Sequence, residues 1–332
     1  MGSYVIIQKK GITAKNKSGK LSIQSKLFIM YTSRRKFVKN STLALAGATL
    51  FSNSLFATGK KKAITGIQLY SIRDDMQKNP LDTLKKLADM GYRYVEHASY
   101  TDRKFYGYGA KEFKKILDDL GLHMKSGHTV MGPKAWDESK NDFTDAWKYT
   151  VEDAAVAGQQ FVISPSLEEN YRKDINVLKR FLAVFNKSGE LCKKSGMKFG
   201  YHNHDFEFNT KVDGMLLYDI ILKETDPDLV IHQMDMGNMY GAGGRALELL
   251  KQYPGRYASL HVKDEIKSDK GSMGGYESTI LGTGVIQVKE VLDLARKIGG
   301  TSHFIIEQES YQGKTPLDCA EQDRQIMKKW GY

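Results

Sequence analysis

The chain has 332 residues and a formal charge of +11, a balance that ordinarily points to a polyanionic partner. The charge is concentrated: residues 1–62 hold 13 Lys or Arg and no Asp or Glu, so the remainder carries 37 basic against 39 acidic side chains, a formal charge of −2. That distribution excludes a long phosphate-tracking surface on the folded part and argues against nucleic acid as a partner.

Residues 1–59 read as a leader and residues 60–332 as one catalytic domain. Within the leader, Ser33-Arg34-Arg35-Lys36-Phe37-Val38-Lys39 precedes an apolar run from Leu43 to Phe51. A charged region followed by a short apolar stretch predicts a signal peptide, and the paired arginines predict the twin-arginine route to the periplasm. The run is too short for a transmembrane helix, so no stable membrane anchor is expected once the signal is removed near Ala57. Residues 1–29 are polar and lack a pattern, and Met30 just ahead of the arginines is the expected true start.

From residue 64 onward, β-rich runs alternate eight times with helical patterns. The predicted strands are 64–70, 92–96, 123–128, 160–164, 198–202, 229–235, 257–262 and 303–307. Between them lie stretches such as Leu81-Leu84-Leu87-Ala88 and Phe113-Ile116-Leu117-Leu120, whose spacing is that of a helix packed on a sheet. Gly91, Gly121, Gly196 and Gly299 end helices just before the next strand. Eight βα units in this length predict a single (β/α)8 barrel. An open doubly wound sheet would carry a glycine-rich phosphate turn after its first strand; Leu69-Tyr70-Ser71-Ile72-Arg73 is none. The long connection 264–284, with Gly271, Gly274, Gly275, Gly282 and Gly284, is expected to be a lid over the catalytic face. Cys192 and Cys319 fall on predicted helices and read as small buried hydrophobes.

Polar residues gather at the C-terminal ends of the predicted strands, where a barrel builds its active site: Glu96 and His97, Ser126 and His128, then Tyr201-His202-Asn203-His204-Asp205, Asp235, His261 with Lys263-Asp264, and Glu307. Imidazoles and carboxylates converging from neighbouring strands suit one first-row divalent ion. His202, Asp235, His261 and Glu307 are the expected ligands. Glu96 and His128 stand as outer support or substrate contacts, Tyr70 and Trp136 as rings for a sugar to stack on, and Glu207 and Lys263 as further substrate contacts. His123, His232 and His303 begin their strands, on the stability face.

Gly66-Ile67-Gln68-Leu69-Tyr70-Ser71, the run from Gly200 to Phe208, Asp235-Met236-Gly237-Asn238, His261-Val262-Lys263-Asp264 and Ile306-Glu307-Gln308 resemble the xylose-isomerase-like superfamily of sugar phosphate isomerases/epimerases, over essentially residues 64–330. The resemblance implies a Glu-Asp-His-Glu quartet on one divalent metal at the ends of strands five to eight. Asp235, His261 and Glu307 match in type; His202 stands where the family's first Glu would be. Related ketose epimerases move protons with two metal-bound glutamates, so this departure questions a two-carboxylate mechanism, and His204 or Glu207 could supply the missing function.

A metal polarising the carbonyl of a keto-sugar stabilises the enediolate that forms as the neighbouring proton leaves. Glu307 is the expected base, with His128 or His204 on the other face. Reprotonation gives an isomerase or epimerase, the leading expectation. Loss of a β-leaving group gives a lyase on 3-keto-glycosides, the alternative. A non-catalytic sugar-binding protein and a metal-dependent endonuclease are remoter classes. The expected partner is a small carbohydrate, with the number of subunits left open. Only Arg73, Lys125 and Lys263 offer themselves to a phosphate. Folding before export would let cytoplasmic supply favour Mn2+ over the tighter-binding Cu2+ and Zn2+; Mn2+ is the expected ion, with Co2+, Fe2+, Zn2+ or Mg2+ as alternatives.

Overall fold

Eight short strands with inward β-branched, small and polar side chains close on themselves in the computed structural model, which describes residues 4–15, 21–32, 63–271, 274–298 and 300–332. They are β1 (Ile64–Gln68), β2 (Tyr94–His97), β3 (His123–His128), β4 (Phe161–Ser164), β5 (Lys198–His202), β6 (Val230–Asp235), β7 (Tyr257–Val262) and β8 (His303–Ile306). Each pairs in parallel with the next and β8 returns to β1, giving a closed (β/α)8 barrel.

The helices between them bury one face each. In Pro80–Asp89, for example, Thr83, Leu84 and Leu87 are buried; Asn79 caps its start by accepting from the Asp82 amide, and Pro80 supplies a first-turn φ. Gly91, Gly121 and Gly196 end their helices at φ 90°, 67° and 73°, as expected of left-handed stops.

Successive residues of a strand alternate between the barrel lumen and the helix layer, and this fixes the site. Low in the lumen, a Cβ on Gly66 would come within 2.8 Å of the Tyr94 carbonyl oxygen, and one on Gly200 within 2.9 Å of Ile231 Cδ1 and 3.0 Å of Ile163 Cγ1. The isoleucines therefore fill space that the glycines leave. One step up, Gln68, Glu96, Ser126, Gln233 and Ser259 form a buried polar layer. Above it stand the groups at the strand ends.

Two expectations change. The first strand stops at Gln68, because Gln68 caps a 3-10 turn, Leu69–Ile72, by accepting from the Tyr70 amide. The expected lid at 264–284 is in its described part an antiparallel hairpin, Asp264–Lys267 against Tyr276–Thr279. It is pinned rather than loose: the buried Asp264 carboxylate accepts from the amides of Glu265, Gly282, Gly284 and Ile286 at 2.8–3.0 Å.

By contacts, residues 1–61 form a unit of their own. Within it, Tyr4–Lys15 pairs antiparallel with Leu21–Thr32, segments that carry several Ile, Val and Tyr of high strand propensity. The twin-arginine segment and Ala57 lie outside the described residues. No helix among the described residues is long and apolar enough to cross a membrane. Cys192 and Cys319 are free and buried.

Candidate metal centre

Asp235 ends β6 with both carboxylate oxygens buried. Oδ1 accepts from the Gly237 and Asn238 amides, each at 2.8 Å. Oδ2 has no hydrogen-bond partner, although His261 Nδ1 lies 3.5 Å and Lys263 Nζ 3.1 Å away. A buried carboxylate oxygen left without a partner is costly unless something charged answers it. The Asn203 side chain locks the backbone here, accepting from the Asp235 amide and donating to its carbonyl.

Around Oδ2 the other donors converge. Asp235, His261 and Glu307 each bring one ligand atom within 4.8 Å of the others'. His261 Nδ1 is 2.9 Å from Glu307 Oε2, while its Nε2 is 2.6 Å from Glu96 Oε1. Glu96 thereby selects Nδ1 as the nitrogen that faces the carboxylates. A histidine oriented by a carboxylate behind it is how metal-ligating imidazoles are usually held. His202 repeats the device: Nδ1 is 3.1 Å from Gln233 Oε1, which leaves Nε2, 4.0 Å from Asp235 Oδ2, facing the same space. His128, His202 and His261 form a second metal-competent group, but Glu96 already engages His261 Nε2. The donor set that fits one divalent ion without displacing these supports is Asp235, His261, Glu307 and His202, an N/O set suited to a borderline or hard first-row ion.

The charges agree with this reading. Burial lowers His202 well below the usual imidazole range, helped by His261 and His128, so it stands neutral as a ligand must. Burial alone would also lower His261, but Glu307 and Glu96 raise it well above that range. Burial would raise Glu307, yet Lys263 and His261 bring it below the ordinary carboxylate value. A positive charge therefore sits among the carboxylates, and a bound divalent ion would replace it.

The Glu96 layer was not anticipated in full. Glu96 accepts from Gln68 Nε2 at 2.9 Å, from Gln233 Nε2 at 2.9 Å and from Ser126 Oγ; Gln233 also donates to Ser259. Against burial, His128 and His261 hold Glu96 well below the carboxylate range. The signal was present in the alternation of the strands: Ser126, Gln233 and Ser259 lie two residues before His128, Asp235 and His261, on the same face.

Above the centre opens a cavity of about 640 Å3, lined among others by Tyr70, His128, His202, His204, Glu307 and Glu309. Glu309, which the sequence reading passed over, holds the Lys263 ammonium at 2.7 Å. Four expected substrate contacts are placed elsewhere. Glu96 is fully buried in the layer beneath. Glu207 is also fully buried; it accepts from Tyr201 Oη at 2.5 Å and from the His204 amide at 2.9 Å, and so shapes the turn that carries His204. Lys263 is 1% exposed, held at 2.8 Å from Glu307 and 3.1 Å from Asp235. Trp136 does not line the cavity: it packs edge-on against Phe143, under Lys187, and donates to Glu138. His232 and His303 are buried at the strand starts, away from the cavity.

Residues 84–330 match the family model described as Xylose isomerase-like TIM barrel. The chain belongs to this family. Within the family's fold, a sugar phosphate isomerase/epimerase from Parabacteroides distasonis superposes with a TM-score of 0.68 at 26% identity, over 82% of this chain and 95% of that one. An inosose dehydratase from Clostridium perfringens is 28% identical over 180 residues, 50% of this chain and 59% of the relative. Another, from Clostridium beijerinckii, is 25% identical over 66% of this chain and 76% of its own length. The chain thus spans about 59% of the first of these curated relatives.

Proposed function

We propose that this barrel is a divalent-metal-dependent lyase that removes the proton next to a carbonyl of a keto-sugar or keto-cyclitol and expels the oxygen substituent on the following carbon. The C–H electron pair becomes the new C=C bond, the C–O bond breaks, and the oxygen departs with a proton as water or an alcohol. A divalent ion held by Asp235, His261, Glu307 and His202 would polarise the substrate carbonyl.

The observation that carries this reading is the asymmetry of the centre. Two-sided epimerisation asks for a proton carrier on each face of the substrate, and the strand-five position that would bring the second carboxylate holds His202. A syn elimination needs one group, which takes the proton and returns it to the departing oxygen. Glu307 is suited to that task. Its Oε2 makes the contacts to His261 and Lys263, and its Oε1 makes no hydrogen bond among the described residues. His128 and His204 line the same cavity from strands three places away around the barrel. Burial lowers both, so they stand as neutral acceptors for substrate hydroxyls.

Curated relatives named inosose dehydratases support elimination. Isomerisation is the second reading, favoured by the name of the Parabacteroides relative. Among the described residues, no Lys or Arg lines the reaction cavity, which supports a substrate without a phosphate. The test is the absorbance of the unsaturated ketone during incubation of the Mn2+-loaded protein with an inosose and with a 3-keto-glucoside. Its absence with both rejects the lyase reading. Export to the periplasm is part of the proposal and rests on Arg34 and Arg35; replacing both with Lys should retain the protein in the cytoplasm, and unchanged fractionation would reject it.

A further inference from the structure

The reaction cavity does not end at the metal centre. A second cavity of about 440 Å3 shares Tyr70, Ala98 and Ser99 with it, so the two adjoin at these residues. The character of the lining changes across them. On the reaction side stand imidazoles and carboxylates. On the far side stand Leu69, Met76, Pro80 and Tyr106, with Arg73 and Gln77 as the main polar groups.

Both walls are built. Arg73 Nη1 donates to the Tyr70 carbonyl and to Tyr311 Oη at 3.1 and 3.0 Å, and its guanidinium carbon lies 4.7 Å from the Tyr70 ring centre. Its Nε and Nη2 make no hydrogen bond among the described residues. Opposite, Tyr106 takes a left-handed φ of 50°, which a non-glycine residue keeps only where its surroundings hold it. The Ala98 amide donates to Tyr106 Oη at 3.0 Å and supplies part of that hold.

We propose that the second cavity is a subsite for the leaving group, and that this leaving group is aromatic, so that the substrate is an aryl 3-keto-glycoside. The proposal rests on the elimination reading. With the sugar over Glu307, a substituent on the carbon that loses its oxygen passes Tyr70 into the second cavity. The surfaces open to a ligand there are the half-buried Pro80 and Tyr106 and the exposed Tyr70 ring, Leu69 and Met76 being fully buried; these match the face of an aromatic ring, and Arg73 can meet a hydroxyl or carboxylate at its edge. A second pyranose would bury several hydroxyls against Pro80 and the two tyrosine rings with few partners. In the reaction the C2 proton passes to Glu307, C1=C2 forms, and the C1–O bond breaks. The proton then leaves with the phenol, with no oxidant, reductant or water consumed.

Binding and turnover separate the two claims. Calorimetric titration of the full chain with 4-nitrophenyl β-glucoside, methyl β-glucoside and cellobiose, none of which carries the 3-keto group, reads the subsite alone. The expected result is at least tenfold tighter binding of the aryl glucoside than of either other ligand. Gln77→Glu, at an exposed position that lines the second cavity and not the first, puts a carboxylate beside the aryl ring and should cut the aryl preference at least threefold. Equal affinities in the wild type, tighter cellobiose, or an aryl preference that Gln77→Glu leaves unchanged would each overturn the subsite. If the aryl preference holds but 4-nitrophenyl 3-keto-glucoside releases no nitrophenol, the aryl subsite stands and the elimination reading fails.

Discussion

The 2.6 Å contact between His261 Nε2 and Glu96 Oε1 decides which face of the imidazole meets Asp235 and Glu307. A fully buried carboxylate in the layer below thus sets the geometry of the centre above it, without lining the cavity itself. Removing such a partner typically costs a metal site about 10–100-fold in affinity. Glu96→Gln should therefore weaken Mn2+ binding by about that factor, measured calorimetrically after chelator treatment. Unchanged affinity would mean that Glu96 does not orient His261.

Asp235 turns Oδ2, which accepts no hydrogen bond, toward His261, Lys263 and His202, and its loss removes both a ligand and the charge that balances the cations. Asp235→Ala should abolish metal retention through gel filtration, and His202→Ala should weaken it at least tenfold. Full retention by Asp235→Ala would displace the centre from this position. Full retention by His202→Ala would reduce the ligands to three.

Glu307→Gln keeps an oxygen for the ion and loses the proton acceptor. The expected outcome is partial metal retention with at least a hundredfold fall in exchange of the substrate's α-proton with deuterated solvent. Undiminished exchange would pass the role of base to His204 or His128.

Away from the centre, Asp323 is buried with Oδ1 accepting from the Leu281 amide and Oδ2 unpartnered. Burial raises its carboxyl to about 7 from an ordinary value of 3.8. A folded pKa above the unfolded one means that its contribution is fully present below about pH 4 and is lost as pH rises through 7, with the charge penalty saturating above it. At about 1.4 kcal/mol per unit, the loss is of the order of 4 kcal/mol at pH 8. Asp323→Asn should therefore raise the melting temperature at pH 8 and leave it nearly unchanged at pH 4. Equal effects at both pH values would contradict the linkage.

Gly127 on β3 lies under the His97 ring, where a Cβ would fall 1.8 Å from its Cδ2. Gly127→Ala should destabilise the barrel by about 1–3 kcal/mol in chemical denaturation. A neutral effect would mean that His97 repacks freely.

The barrel was legible because βα alternation, glycine stops and eight strand runs all agree on one architecture. The upper ring of the site was legible for a related reason: chemically distinctive residues ended consecutive strands. The layer beneath was not. Gln68, Ser126, Gln233 and Ser259 are ordinary residues whose importance arises only when the barrel closes and brings four other strands around Glu96. Trp136 misled because an aromatic residue after a strand resembles a sugar platform, whereas Phe143 packs edge-to-face with it and Lys187 lies over its ring. The hairpin after β7 misled because glycines also serve the tight approaches around Asp264, where a Cβ on Gly284 would come within 2.4 Å of its Oδ1.

The central claim, elimination with Glu307 as the one proton-transferring carboxylate, is tested most directly by proton NMR of the Mn2+-loaded protein with 4-nitrophenyl 3-keto-glucoside in deuterated water. The account predicts release of nitrophenol together with an unsaturated keto-sugar. Deuterium entering at C2 with the glycosidic bond intact would contradict it.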